Sequence, residues 1–197
     1  MVGLKRLDNV EYCITEVIRR NIPGDLIETG VWRGGTAIFM RAVLKAYGDQ
    51  NRCVWVADSF EGLPKPDGRY QQDAADRHWS FKSVLGVPLD EVKSNFTRYG
   101  LLDEQVRFLV GWFEDTLPQA PIDRLAILRL DGDMYSSTMD ALQALYAKLS
   151  PGGYAIVDDY FSVSTCKAAV DDFRASRKVT EPLQQIDWAG AFWEKRA

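Results

Sequence analysis

Histidine and cysteine are scarce in this chain: His78 stands alone, and Cys13, Cys53 and Cys166 are the only cysteines among 197 residues. The cysteines are odd in number, far apart and never arranged Cys-x-x-Cys, which argues against a disulfide framework or a thiolate metal site and reads as reduced small core residues. Basic clusters are missing too. Lys and Arg number 24 against 28 Asp and Glu, a net charge of −4. With no basic stripe to meet phosphates, no nucleic-acid partner is expected. No stretch approaches the roughly 20 apolar residues of a membrane span, and Met1 to Asp8 lacks the apolar centre of a signal peptide. The chain is therefore expected to be cytoplasmic, with no membrane partner. Also absent is Gly-x-Gly-x-x-Gly after the first strand, the fingerprint of a nicotinamide dinucleotide site.

What is present suits a globular protein. Hydrophobic residues make up 46% and charged residues 26%, and the length fits one domain over residues 1–197. Apolar residues at helical spacing predict helices over 8–20, 36–47, 89–99, 137–149 and 165–177. Short apolar runs predict strands at 25–29, 53–58, 106–110, 125–130 and 154–157. Two further strands, 183–186 and 191–194, flank a reversing turn at 187–190. Alternating strands and helices imply a doubly wound, Rossmann-like α/β fold. Its sheet is mostly parallel, with an antiparallel C-terminal strand and the site at the carboxyl ends of the strands. Residues 59–82 break the pattern and are expected to form a loop over that edge.

Two groups of residues gather there. Glu28-Thr29-Gly30-Val31-Trp32-Arg33-Gly34-Gly35-Thr36 is a glycine-rich bend between strand and helix, where backbone N–H groups face a ligand. The acid before it favours a cationic group such as an amino-acid ammonium over pyrophosphate. Asp58, closing the second strand, suits two ribose hydroxyls, and Trp112 in Gly111-Trp112-Phe113-Glu114-Asp115 suits an adenine ring. S-adenosylmethionine contains all these parts. The alternatives are that Gly30 and Gly34 only make a tight turn, Asp58 only caps a helix and Trp112 only packs in the core.

The second group is acidic. Asp131 follows Leu128-Arg129-Leu130, and Asp158-Asp159 follow Ala155-Ile156-Val157. Neighbouring parallel strands lie about 4.8 Å apart, so these carboxylates crowd one another, and a hard divalent cation such as Mg²⁺ relieves the repulsion. Adjacent residues 158 and 159 would face opposite ways in a regular strand, so the backbone must leave strand geometry there. The alternative is a helix cap at Asp158 or Asp159 and an arginine partner for Asp131.

Glu28 to Gly35, Asp58-Ser59-Phe60-Glu61-Gly62-Leu63-Pro64, Leu130-Asp131-Gly132-Asp133-Met134-Tyr135 and Val157-Asp158-Asp159-Tyr160 resemble the macrocin O-methyltransferase (TylF, NovP and MycF type) family over nearly the whole chain. The resemblance implies a class I methyltransferase fold and Mg²⁺-dependent methylation of a sugar hydroxyl on a natural-product glycoside, with S-adenosylmethionine as donor. It implies Asp131, Asp158 and Asp159 as metal ligands and Asp133 as general base. Two residues apart on an extended tip, Asp131 and Asp133 would project from one face. For the donor it implies Glu28, Thr29, Gly30, Gly34, Thr36, Asp58, Ser59, Gly111, Trp112, Asp115 and Asp131. The same metal clamp would serve a catechol-like or other vicinal diol, and a cofactor-binding protein without turnover is a third reading, disfavoured by the four intact aspartates.

His78 lies in the loop beside Arg77 and Trp79, and reads as a surface or packing residue. Tyr135 and Tyr160 either line the acceptor pocket or simply pack. Family members carry chain before the segment matching Leu4 to Asp8 that covers the acceptor and joins subunits. Acceptor identity and a possible homo-oligomer are left open for that reason.

Overall fold

The computed structural model describes residues 2–196. Helix α1 (Leu4–Arg19) buries Val10, Cys13, Ile14 and Val17 along one stripe, and β1 (Asp25–Thr29) follows it. The chain continues through α2 (Gly35–Ala46), β2 (Val54–Asp58), α3 (Lys82–Leu85), α4 (Leu89–Arg98), β3 (Val106–Val110) and α5 (Phe113–Thr116). It ends with β4 (Leu125–Leu130), α6 (Tyr135–Leu145), β5 (Leu149–Val157), α7 (Ser164–Arg177), β6 (Gln184–Gln185) and β7 (Ala191–Glu194).

Seven strands form one sheet in the order β3-β2-β1-β4-β5-β7-β6. The first five pair in parallel, and β7 runs antiparallel to both β5 and β6. The expected doubly wound sheet with an antiparallel C-terminal strand is thus borne out. Alternate strand residues enter opposite cores: Leu26 packs with α1, α2 and α4, and Ile27 with α6 and α7. Both faces are covered, as the unbroken burial of β4 requires. Chain order reverses between β1 and β4, the switch point at which open α/β sheets leave a crevice.

Several boundaries differ from expectation. Helix α1 begins four residues early, because Arg6 is drawn into the interior by carboxylates far along the chain. Strand β5 begins at Leu149 rather than 154, since residues 149–153 form an irregular extension of the ladder. Glycine is needed at 152, whose φ is +84°, and a Cβ there would lie 2.6 Å from Ile22. The loop 59–82 is partly ordered, with 3₁₀ turns at Gln71–Asp73 and His78–Phe81. Buried Asp73 accepts the backbone N–H groups of Tyr135 (2.9 Å) and Ser136 (2.8 Å), so the loop caps the N-terminus of α6. Asp76, also buried, accepts from the His78 ring nitrogen Nδ1 at 2.9 Å and from its backbone N–H. His78 is thereby a partner within the loop, and borders neither cavity described below.

Candidate active site

The carboxyl ends of the parallel strands stay in register one residue beyond the ladder. Gly30 N–H donates to Ala57 O (2.8 Å), Asp131 N–H to Thr29 O (2.8 Å), Asp158 N–H to Leu130 O (3.0 Å) and Gly111 N–H to Asp58 O (2.9 Å). Gly30, Asp58, Gly111, Asp131 and Asp158 therefore form one rim across the switch point. At Gly30 φ is +87°, and a Cβ would stand 1.9 Å from the Asp131 carbonyl oxygen. Only glycine lets the two strand ends approach this closely.

Arg129 organises the rim. It is fully buried inside β4, and its Nη1 donates to Glu28 and, at 2.8 Å, to Asp131. Its Nη2 donates to Asp158, whose other oxygen accepts from Arg6 of α1. Arg6 also reaches Asp187, before β7, at 3.1 Å. Beyond these pairs, carboxylate oxygens of Asp131, Asp133 and Asp159 lie within 4.8 Å of one another. Six carboxylates therefore share two guanidinium groups, leaving a surplus of four negative charges when all are ionised.

Proton affinity reflects this crowding. Burial, and then Asp131 and Asp159, push Asp133 up to about 8. Glu28 also rises to about 8 through burial, against the opposing pull of Arg129. Burial raises Asp131 and Asp158 as well, again with Arg129 opposing. Without a cation, like charges this close hold protons.

A cleft of about 1060 Å³ opens on the rim. Of the residues expected at the site, Glu28, Gly30, Thr36, Asp58, Asp131, Asp133, Asp158 and Asp159 line it. A smaller cavity of about 50 Å³ shares Gly30, Asp58 and Asp131 and adds Ser59, Gly111 and Trp112. Asp58 thus stands between the two. Its carboxylate accepts Val31 N–H and Phe60 N–H, each at 2.7 Å, tying the glycine bend to the turn after β2 rather than capping a helix. Trp112 borders the smaller cavity.

Three expected residues are placed elsewhere. Thr29 is buried and donates to the Arg129 carbonyl. Gly34, at φ +79°, caps α2 and packs against Val92, while Asp115 is exposed on α5 and borders neither cavity. Asp158 does border the cleft but is not in the group of three converging carboxylates, both of its oxygens being engaged by arginine. The backbone does leave strand geometry at 158–159, since β5 ends at Val157. Asp133 is not on an extended tip. Its φ of +56° is left-handed, and that turn, not strand alternation, brings it towards Asp131. Tyr135 and Tyr160 are packed, their hydroxyls donating to Asp172 (2.9 Å) and Asp171 (2.6 Å) of α7.

Arg6, Arg129 and Asp73 escaped the sequence reading. Arg129 carried a signal, a cation inside an apolar strand buried on both faces, which requires buried anions as partners. Arg6 and Asp73 carried none, because their partners lie 152 and 62 residues away.

Comparison with known proteins shows the family and agrees with the fold. A family model described as Macrocin-O-methyltransferase (TylF) matches residues 1–195. The chain is 56% identical over 198 residues to 8-demethyl-8-(2,3-dimethoxy-alpha-L-rhamnosyl)-tetracenomycin-C 4'-O-methyltransferase of Streptomyces olivaceus, covering all of this chain and 76% of that one. It is 54% identical to demethyldecarbamoylnovobiocin O-methyltransferase of Streptomyces niveus, over 99% of this chain and 75% of the other. The solved structure of the O-methyltransferase NovP superposes with a TM-score of 0.98 at 52% identity, covering 100% of this chain and 81% of that one.

Proposed function

The chain belongs to the macrocin O-methyltransferase (TylF) family, and on that premise we propose that it transfers a methyl group from S-adenosylmethionine to a sugar hydroxyl of a glycosylated natural product, with Mg²⁺ as the metal. The observation that carries the reading is the convergence of Asp131, Asp133 and Asp159 on the wall of a cleft that also holds Glu28 and Asp58. The names of the relatives support the acceptor class, one methylating a rhamnosyl-bearing tetracenomycin.

The donor set fits the missing groups. Carboxylate oxygens within a few ångströms suit a hard divalent ion. Asp131 and Asp159 would hold it, and Asp158 would join through a lone pair left free by its arginines. Glu28 Oε2 is buried with no hydrogen-bond partner among the described residues, and so is available to an ammonium group. Asp58 retains lone pairs for ribose hydroxyls, and Trp112 offers its face to adenine. When bound, the cation stabilises negative charge on a sugar oxygen, and the sulfonium supplies the methyl group.

Asp133 is the general base in this reading. Without a cation its proton affinity is raised to about 8 by burial and by Asp131 and Asp159; a bound cation would offset those charges and leave Asp133 as the carboxylate, the form that accepts a proton. Arg129 and Arg6 act through other residues: they hold Glu28, Asp131 and Asp158 in place, so the reacting groups meet without reorganisation.

The test is methyl transfer to a panel of deoxysugar glycosides and catechols, with Mg²⁺ or with chelator. Turnover of glycosides that stops on chelation is expected; turnover of catechols alone would replace the sugar reading. Asp133→Asn should lower turnover at least about 10²-fold, the usual share of a general base, while S-adenosylhomocysteine binds as before. A variant with normal turnover would remove Asp133 from that role.

A further inference from the structure

Trp188 is 73% exposed yet held in place. It sits in the turn before β7, where the preceding Asp187 accepts backbone N–H groups from Ala189 (2.9 Å) and Gly190 (2.8 Å). Arg6 clamps the same Asp187 from α1 and places its guanidinium carbon 6.0 Å from the centre of the indole ring. Through Nη1 Arg6 also donates to Asp158. One buried arginine therefore sets the distance between an exposed indole and the acidic rim. Trp188 borders the same cleft as Asp133 and Asp159, and apolar side chains of Leu7, Val84 and Leu85 border it too.

A large aromatic face kept in water at a fixed place beside a polar reaction centre is the arrangement that receives an amphipathic ligand. Resting on the sugar-methylating reading above, the geometry points to Trp188 as a specificity-determining residue: its ring receives the apolar aglycone while the attached sugar lies against the aspartates. The cleft that Trp188, Asp133 and Asp159 border together has a volume of about 1060 Å³, room for a sugar and its substituent side by side.

Isothermal titration with two ligands tests this: methyl α-L-rhamnopyranoside and 2-naphthyl α-L-rhamnopyranoside, each added to protein holding S-adenosylhomocysteine and Mg²⁺. Wild type should bind the naphthyl glycoside at least about tenfold more tightly, which is about 1.4 kcal/mol. Trp188→Ala should bind the two equally, with S-adenosylhomocysteine affinity and melting temperature unchanged, and Trp188→Phe should recover most of the preference. The assignment is overturned if wild type shows no preference, if Trp188→Ala keeps it, or if that variant loses affinity for both glycosides by one factor. Wild type that binds the naphthyl glycoside with this preference but never methylates it would sink the proposed reaction and leave the platform standing. Methylation of both with an unchanged preference in Trp188→Ala would do the reverse.

Discussion

Replacing Arg129 with methionine keeps an unbranched apolar stem and removes the charge that three carboxylates share. The guanidinium is fully buried, and Glu28 and Asp158 are buried beside it, so the substitution leaves anions without compensation where water has little access. Removing one partner of such a pair costs about 3–5 kcal/mol. The loss should depend on pH, in a direction the proton affinities determine. A carboxyl whose affinity is raised on folding stabilises the native state below its unfolded pKa, and that contribution disappears as pH rises through the folded value. Glu28 titrates at about 8 with Arg129 still opposing the rise, so its own share of the loss falls above that pH; Asp131 and Asp158, raised by burial against the same arginine, move higher without it and carry the dependence below. At pH 5.5 the carboxyls of the variant can be neutral and the penalty small. At pH 8 they are driven towards ionisation and the full penalty applies. Urea unfolding of wild type and Arg129→Met at both pH values, without divalent ions, measures the difference, and Mg²⁺ at pH 8 should restore part of it through Asp131. A penalty below about 1 kcal/mol, or one equal at both pH values, would refute the view that Arg129 compensates a buried excess of negative charge.

Three further outcomes are expected. Mg²⁺ affinity should rise with pH up to about 8, because the ion must displace the proton held by Asp133; titration in two buffers of different ionisation enthalpy should show proton release, and a pH-independent affinity would refute this. Gly30→Ala should abolish S-adenosylhomocysteine binding and lower the melting temperature, since left-handed backbone costs roughly 1–3 kcal/mol without glycine and the added Cβ would meet the Asp131 carbonyl; calorimetry that finds both unchanged would contradict the close approach of β1 and β4. Arg69, which ties the loop to Glu114 at 3.0 Å and Asp140 at 3.2 Å, borders the smaller cavity. That cavity has room for a few waters at about 10–15 Å³ each, too little for adenine. Arg69→Ala or 0.5 M salt should therefore speed both association and release of S-adenosylhomocysteine in stopped-flow measurements, and release alone speeding up would show that Arg69 touches the ligand instead.

Much of this molecule was legible in its local patterns. Apolar runs of five or six residues separated by amphipathic helices implied the parallel sheet, because only strands buried on both faces read that way. Glycines and acids directly after those runs marked the rim, because glycine permits close approach of backbone and an acid at a strand end has no place in the core. Thr29 and Asp115 show the limit. Both lie within recognisable motifs, yet one faces the core and the other faces solvent, an orientation that depends on which neighbours surround a strand end or a short helix.

The sequence by itself determined the order of elements along the chain and the chemical character of the rim, since hydrophobic period, glycine freedom and carboxylate charge are properties of short stretches. Only the tertiary structure decided which oxygens meet. Asp133 is turned towards Asp131 by a left-handed residue, Asp158 is drawn inward by arginines from α1 and β4, and Asp159 is left facing the cleft. The placing of Asp158 rests on an ion pair between segments 152 residues apart, and the energy of such a pair exists only once folding has excluded water from around it.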